Sequence, residues 1–108
     1  MRRTNLTLVL IMIMIALTAK TQNSTIRGTV FDGVTNETMP GVAIVISGTT
    51  VGTTTDLDGK FSLSVEPGTY NFEVSFISYQ TLKITDVVLN PGEIKVFDEL
   101  KLQEEGFM

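Results

Sequence analysis

Apolar and polar residues alternate with a period of two over most of the chain, and turn residues interrupt the alternation about every ten positions. Val42-Ala43-Ile44-Val45-Ile46 is a wholly apolar run. A small, polar stretch from Gly48 to Thr55 comes next, and Asp56-Leu57-Asp58-Gly59 closes that stretch as an acidic turn. Asp-Gly is a strong turn dipeptide, because glycine takes positive φ without a Cβ clash and aspartate tolerates it. Beyond the turn, Phe61, Leu63 and Val65 fall on one face, and Lys60, Ser62, Ser64 and Glu66 on the other. This is the pattern of a half-buried strand. The corner formed by Asp56, Asp58, Gly59 and Phe61 therefore sets the register of the strand that leaves it.

The same reasoning places strands over residues 26–32, 42–47, 60–66, 70–77, 82–89 and 94–102, with the Thr-rich run 49–55 as an edge or loop. In the strongest strand Tyr70, Phe72, Val74 and Phe76 alternate with Asn71, Glu73, Ser75 and Ile77. Aromatic and β-branched residues at this period suit a pleated, half-buried surface. In the last strand Ile94, Val96, Leu100 and Leu102 share a face with Asp98, which predicts a bulge or strand end near Phe97-Asp98. Pro40-Gly41, Pro67-Gly68 and Pro91-Gly92 each suit the centre of a type II turn. No segment after the N-terminal region has helical periodicity. The expected fold is all-β: a small two-sheet, Greek-key β-sandwich of about seven strands, because one sheet of this size would leave an apolar face in water. The expected core is Val42, Ile44, Ile46, Phe61, Leu63, Tyr70, Phe72, Val74 and Phe76.

The N-terminus departs from this pattern. Arg2 and Arg3 precede an almost wholly apolar run from Leu6 to Ala19. That is the layout of a secretory signal peptide, with an uncleaved anchor as the alternative. The run is shorter than the roughly 20 residues a spanning helix needs. Small residues near its end place processing between about Thr18 and Asn23. The expected organisation is a signal peptide over residues 1–22, one domain over 23–105 and a tail over 106–108, with residues 103–108 fraying.

Removing the leader changes the charge. The chain has 8 bases and 12 acids. Arg2, Arg3 and Lys20 lie in the leader, so the remainder holds five bases against all twelve acids, a net charge of −7. Such a chain is a poor ligand for nucleic acid. It has no cysteine, so it can form neither a disulfide nor a cysteine-linked lipid anchor.

Candidate chemistry is sparse. Without histidine there is no Ser-His pair and no metal-binding imidazole. Gly48 to Gly52 lacks the spacing and the lysine of a phosphate-binding loop. Asp56 and Asp58, two apart before a glycine, resemble the start of a calcium loop. Lys60-Phe61-Ser62-Leu63 then supplies none of the further oxygen ligands such a loop needs. The alternative is that Asp56 caps the corner through backbone hydrogen bonds. Glu66 and Glu73 fall on solvent faces by parity. Tyr70 belongs to the core face, whereas Tyr79, at a strand end, is the better candidate for a ligand or partner surface. No cofactor is expected. Three Asn-x-Ser/Thr sequons, at Asn5, Asn23 and Asn36, are read as chance in a chain rich in Thr and Asn.

Five segments together carry a family pattern. They are Ile26-Arg27-Gly28-Thr29-Val30, Met39-Pro40-Gly41-Val42, Ile46-Ser47-Gly48-Thr49-Thr50, Gly52 through Phe61, and Val74-Ser75-Phe76-Ile77-Ser78-Tyr79-Gln80-Thr81. This pattern resembles the carboxypeptidase regulatory-like domain over residues 26–104. The resemblance implies a transthyretin-like (prealbumin-like) sandwich. It is most similar to the version that precedes the plug in SusC-like TonB-dependent outer-membrane transporters. Ser78 stands where that family commonly has glycine. The resemblance transfers no catalytic residue, and no plug or barrel is present within the 108 residues. The chain is expected to be either a fragment of a longer gene or a stand-alone domain.

Two functions are compatible with these observations. One is a non-catalytic interaction or accessory module in the periplasm or at the cell surface, with an envelope or outer-membrane protein as partner. The other is a carbohydrate-binding module, which would need exposed, coplanar aromatic rings and has only Tyr79 to offer. On either reading the chain meets the membrane only through its leader.

Overall fold

Seven strands form where the period-two segments lie: β1 (Ser24–Asp32), β2 (Ala43–Ile46), β3 (Gly52–Thr54), β4 (Lys60–Val65), β5 (Gly68–Ser75), β6 (Leu82–Leu89) and β7 (Ile94–Leu102). The computed structural model describes residues 22–106. The expected leader, apart from its last residue Gln22, and Phe107 and Met108 lie outside the described residues.

The strands make the expected two sheets, ordered β4-β1-β7 and β3-β2-β5-β6. Only β2–β3 and β5–β6 are hairpins between neighbours in sequence, and the other connections cross from one sheet to the other. β7 pairs with β1 in parallel, whereas all other pairings are antiparallel. The inner faces meet through Ile26, Val30, Phe61 and Val65 on one side and Ile44, Ile46, Phe72 and Val74 on the other. Val87, Leu89, Leu100 and Leu102 complete the core, and Met39 and Val42 close one end of it. Removal of these apolar side chains from water is the main drive for closing the two layers.

Three residues of the expected core, Leu63, Tyr70 and Phe76, are only half-buried against it. Tyr70 lies at the rim because its hydroxyl donates to the Glu66 carbonyl at 2.8 Å, and a polar tip favours that position. Ile26, Val30, Leu89 and Leu102 are deeply buried, although alternation did not assign them to the core. They lie on strands that are apolar at their ends or interrupted by polar residues, so alternation alone underweights them.

Two bulges explain where parity misleads. In β7 the register against β1 shifts between Gly28↔Phe97 and Val30↔Leu100, so Asp98-Glu99 together oppose Thr29. The bulge is where the sequence placed it, but its consequence differs. Ile94 and Val96 do not share a face with Leu100 and Leu102: the first pair is exposed and the second buried. In β6, Thr85-Asp86 oppose Asn71, and Asp86 adopts φ 56° with its amide donating to Asn71 Oδ1 at 3.0 Å. The inward side thereby passes from Leu82 and Ile84 to Val87 and Leu89. An extra residue must reverse the faces, because the side-chain period of a strand is two.

The three Pro-Gly pairs are not equivalent. Gly41 (φ 75°) and Gly92 (φ 73°) take the expected positive φ. Gly68 (φ 158°) is extended, starts β5 and pairs with Leu89. Glu66-Pro67 carries the chain between sheets, so a tight hairpin turn would be wrong there. The C-terminal segment is also not frayed through residues 103–105. The Gln80 amide donates to the Gln103 carbonyl at 2.7 Å, and the Glu105 amide to the Ser78 carbonyl at 2.9 Å.

Candidate functional site

The corner is built by backbone contacts from two directions. The Gly59 amide donates to the Asp56 carbonyl at 3.0 Å, which closes the turn. Asp56 Oδ1 accepts from the Asp58 amide at 2.9 Å and the Lys60 amide at 3.0 Å. A carboxylate bound in this way pins the loop locally. The Gly59 carbonyl accepts from the Val30 amide at 2.9 Å, and the Val30 carbonyl accepts from the Met39 amide, also at 2.9 Å. The turn is thus locked to β1 and, through β1, to the segment before β2. Phe61 leads from it into the core. Its ring lies against Gly28, where a Cβ would come within 2.6 Å of it.

Thr55 is a structural residue of this corner that the sequence hid in a polar run. It is buried. Its hydroxyl donates to the Met39 carbonyl at 2.6 Å and accepts from the Val42 amide at 2.9 Å. It therefore satisfies backbone groups around the Pro40-Gly41 turn, which would be costly to leave unpaired in the interior.

Among the described residues no three acidic side chains gather in a metal cage. Asp56 and Asp58 are both exposed, and one oxygen of Asp56 is already engaged by two amides. The melting temperature is expected to be the same in millimolar calcium as in chelator. A rise of several degrees with calcium, abolished in Asp56→Asn, would instead make the corner a metal site.

Tyr79 is half-buried, so it is not an open stacking surface. Its hydroxyl donates to Asp32 Oδ2 at 2.5 Å, and its ring meets Phe76 edge-on with centroids 5.8 Å apart. Asp32 Oδ1 accepts from the Val34 amide at 2.8 Å and the Thr35 amide at 3.1 Å. The Tyr79 hydroxyl, together with these amides, holds the Asp32 carboxyl below its ordinary range. The hydrogen bond to Asp32 pushes the Tyr79 hydroxyl up to about 12, which extends the range over which it stays a donor into alkaline pH. The resulting stabilisation is present above the carboxyl's ordinary pKa and is lost as pH falls through the lowered one. Asp32 was not singled out from the sequence, although Asp at a strand end before Gly33 and Asn36 is a recognisable turn signal. Ser78 adopts φ 66°, in the left-handed region that favours glycine.

These loops form one end of the sandwich. The Pro40-Gly41 turn lies between the corner and the Phe76–Tyr79 bend: a Cβ on Gly59 would meet Thr38 and Met39, and one on Gly41 would face Phe76 at 3.8 Å. A depression of about 260 Å³ at this end is lined by Asp32, Glu37, Met39, Pro40, Phe76 and Tyr79. A second, of about 350 Å³, lies beside the corner over Arg27, Lys60, Phe61 and Val96. Hydroxyl and carboxylate side chains line both, and neither contains histidine or cysteine.

The profile of the CarboxypepD_reg-like domain matches residues 26–105. Among sequence relatives, the TonB-dependent receptor SusC of Bacteroides thetaiotaomicron is 44% identical over 68 residues, covering 63% of this chain and 7% of the receptor. The TonB-dependent receptor P39 of Formosa agariphila is 34% identical over 86 residues, covering 71% of this chain and 8% of the receptor. The chain therefore spans less than a tenth of the length of these two relatives. Among solved structures, a type II cohesin–X-dockerin complex from Acetivibrio cellulolyticus superposes with a TM-score of 0.65 at 22% identity, covering 75% of this chain and 58% of that one. The 3-chlorocatechol 1,2-dioxygenase of Rhodococcus opacus superposes with a TM-score of 0.58 at 12% identity, covering 79% and 61%. At such identities the likeness is one of fold, and the same sandwich occurs in enzymes and in binding proteins.

Proposed function

The chain belongs to the CarboxypepD_reg-like domain family, and from that membership we propose that it is a non-catalytic, exported interaction or accessory module of the cell envelope, similar to the N-terminal domain of TonB-dependent receptors, whose partner is an envelope or outer-membrane protein such as a TonB-dependent receptor. The observation that carries this reading is the family match over the whole sandwich together with relatives that are TonB-dependent receptors. The leader over residues 1–22 would take the domain, residues 23–105, across the inner membrane to the periplasm or the outer-membrane surface. The absence of histidine and cysteine from the chain supports a binding role over catalysis. The carbohydrate-binding reading gains nothing from Tyr79, whose hydroxyl is engaged by Asp32 and whose ring packs on Phe76.

The test uses the tagged full chain in its native cell. After fractionation and reversible cross-linking, mass spectrometry is expected to find the tag in the envelope fraction with a TonB-dependent receptor polypeptide enriched. A tag that stays in the cytosol, or recovery of no envelope protein above an untagged control, would overturn the proposal.

A further inference from the structure

We propose that the loop end of the sandwich, with Leu57, Ile77 and Val34 at its tips, is the face that docks the envelope partner, and that the partner presents an apolar patch rimmed by lysine or arginine. This rests on the proposed envelope role and specifies where the partner binds and what its surface must carry.

Three observations combine. Leu57 is 88% exposed, Ile77 83% and Val34 54%. All three project from loops at the same end: Val34 from the turn that Asp32 caps, Leu57 from the corner, and Ile77 from the Phe76–Tyr79 bend. Turn tips have no need of large apolar residues, since Gly, Asn, Asp and Ser suit them better. At the opposite end, among the described residues, the one large apolar side chain exposed on a connecting loop is Val51.

The second observation is the rigidity of these loops. Gly59 and Thr55 lock the corner to the strands, Tyr79 ties the bend to Asp32, and residues 103–105 pair with 78–80. Apolar tips held in place lose little freedom on binding, which favours a specific interface.

The third observation is charge, which selects the partner. The loops 32–41, 55–59, 76–81 and 103–106 hold six of the chain's 12 acids, namely Asp32, Glu37, Asp56, Asp58, Glu104 and Glu105, and no lysine or arginine. Arg27 and Lys60 stand beside the corner, but the loops themselves carry acidic charge alone, and exposed apolar tips among charges of one sign suit an interface that selects its partner electrostatically. The acidic rim repels a second copy of the same end, and it repels an anionic lipid surface. A basic protein surface is the occupant it fits.

The experiment extends the cross-linking co-purification. Leu57→Ser with Ile77→Ser is compared with wild type and with Val88→Ser plus Ile94→Ser, a pair of exposed strand residues toward the opposite end of the sandwich. Both double variants alter exposed side chains, and unchanged melting temperatures confirm that each is folded. The loop variant is expected to recover the receptor at least about tenfold less well, while the sheet variant recovers it as wild type does. Carbodiimide, which joins carboxylates directly to amines, is expected to link Asp58 or Glu37 to a lysine of the receptor. Recovery is also expected to fall as salt rises. If wild type recovers no receptor, the proposed function fails. If wild type recovers it and the loop variant does so equally, or if carbodiimide links form only elsewhere, the docking face is wrong and the proposed function stands.

Discussion

Replacing Phe61 with alanine is expected to destabilise the domain by about 3–5 kcal/mol, the range for removing a well-buried aromatic ring. The ring is buried, and it fills the space left by Gly28, which has no Cβ to oppose it. Two walls of the cavity are fixed. One is backbone, because Gly28, against which the ring lies, is paired with β4 on one side and β7 on the other. The other is the tethered corner itself, so collapse into the void is restricted and the cost belongs in the upper part of the range. Domains of this size have only about 5–15 kcal/mol of net stability. Urea denaturation should show the midpoint falling with little change in slope. A midpoint close to that of wild type would mean that Phe61 does not fill the core.

The second large effect is expected at Gly59. Its φ is 76°, which costs a residue with a side chain about 1–2 kcal/mol. A Cβ there would lie 2.8 Å from Thr38 Cβ, 2.9 Å from the Val30 carbonyl oxygen and 3.0 Å from the Met39 amide nitrogen. Two of these atoms are backbone held by the hydrogen bonds that join β1 to the corner and to the segment before β2. Gly59→Val therefore adds overpacking of about 1–3 kcal/mol to the backbone term. Gly106 makes a matched control, with nearly the same φ of 77° but nothing within 4 Å of its Cβ position. Gly106→Val carries at most the backbone term. Each kcal/mol corresponds to about 4–8 °C in a domain of this size, so thermal melts separate the two variants clearly. Equal melting temperatures would show that the corner yields freely and does not fix the register of β4.

The sequence by itself determined the all-β class, the position of each long strand, the two-sheet architecture and the acidic turn before Phe61. These depend on neighbours in the chain: alternation reports which side of a strand is dry, and Asp58-Gly59 reports a turn without help from elsewhere. The tertiary structure decided what alternation cannot express. Ile94 and Val96 face outward because Asp98-Glu99 bulge against Thr29, and the partner strand sets that reversal. Gly68 is extended because the chain changes sheets at Glu66-Pro67, although its sequence matches the two Pro-Gly turns. Tyr79 turned from a surface ring into a tether because Asp32, 47 residues away, accepts its hydrogen bond. Thr55 became a clasp only once Met39 and Val42 came within reach of its hydroxyl. The apolar loop end, too, exists only in three dimensions, since Val34, Leu57 and Ile77 are far apart in sequence and only the pairing of the strands gathers their loops. Periodicity is local, whereas hydrogen bonds, bulges and surfaces depend on residues that the fold brings together.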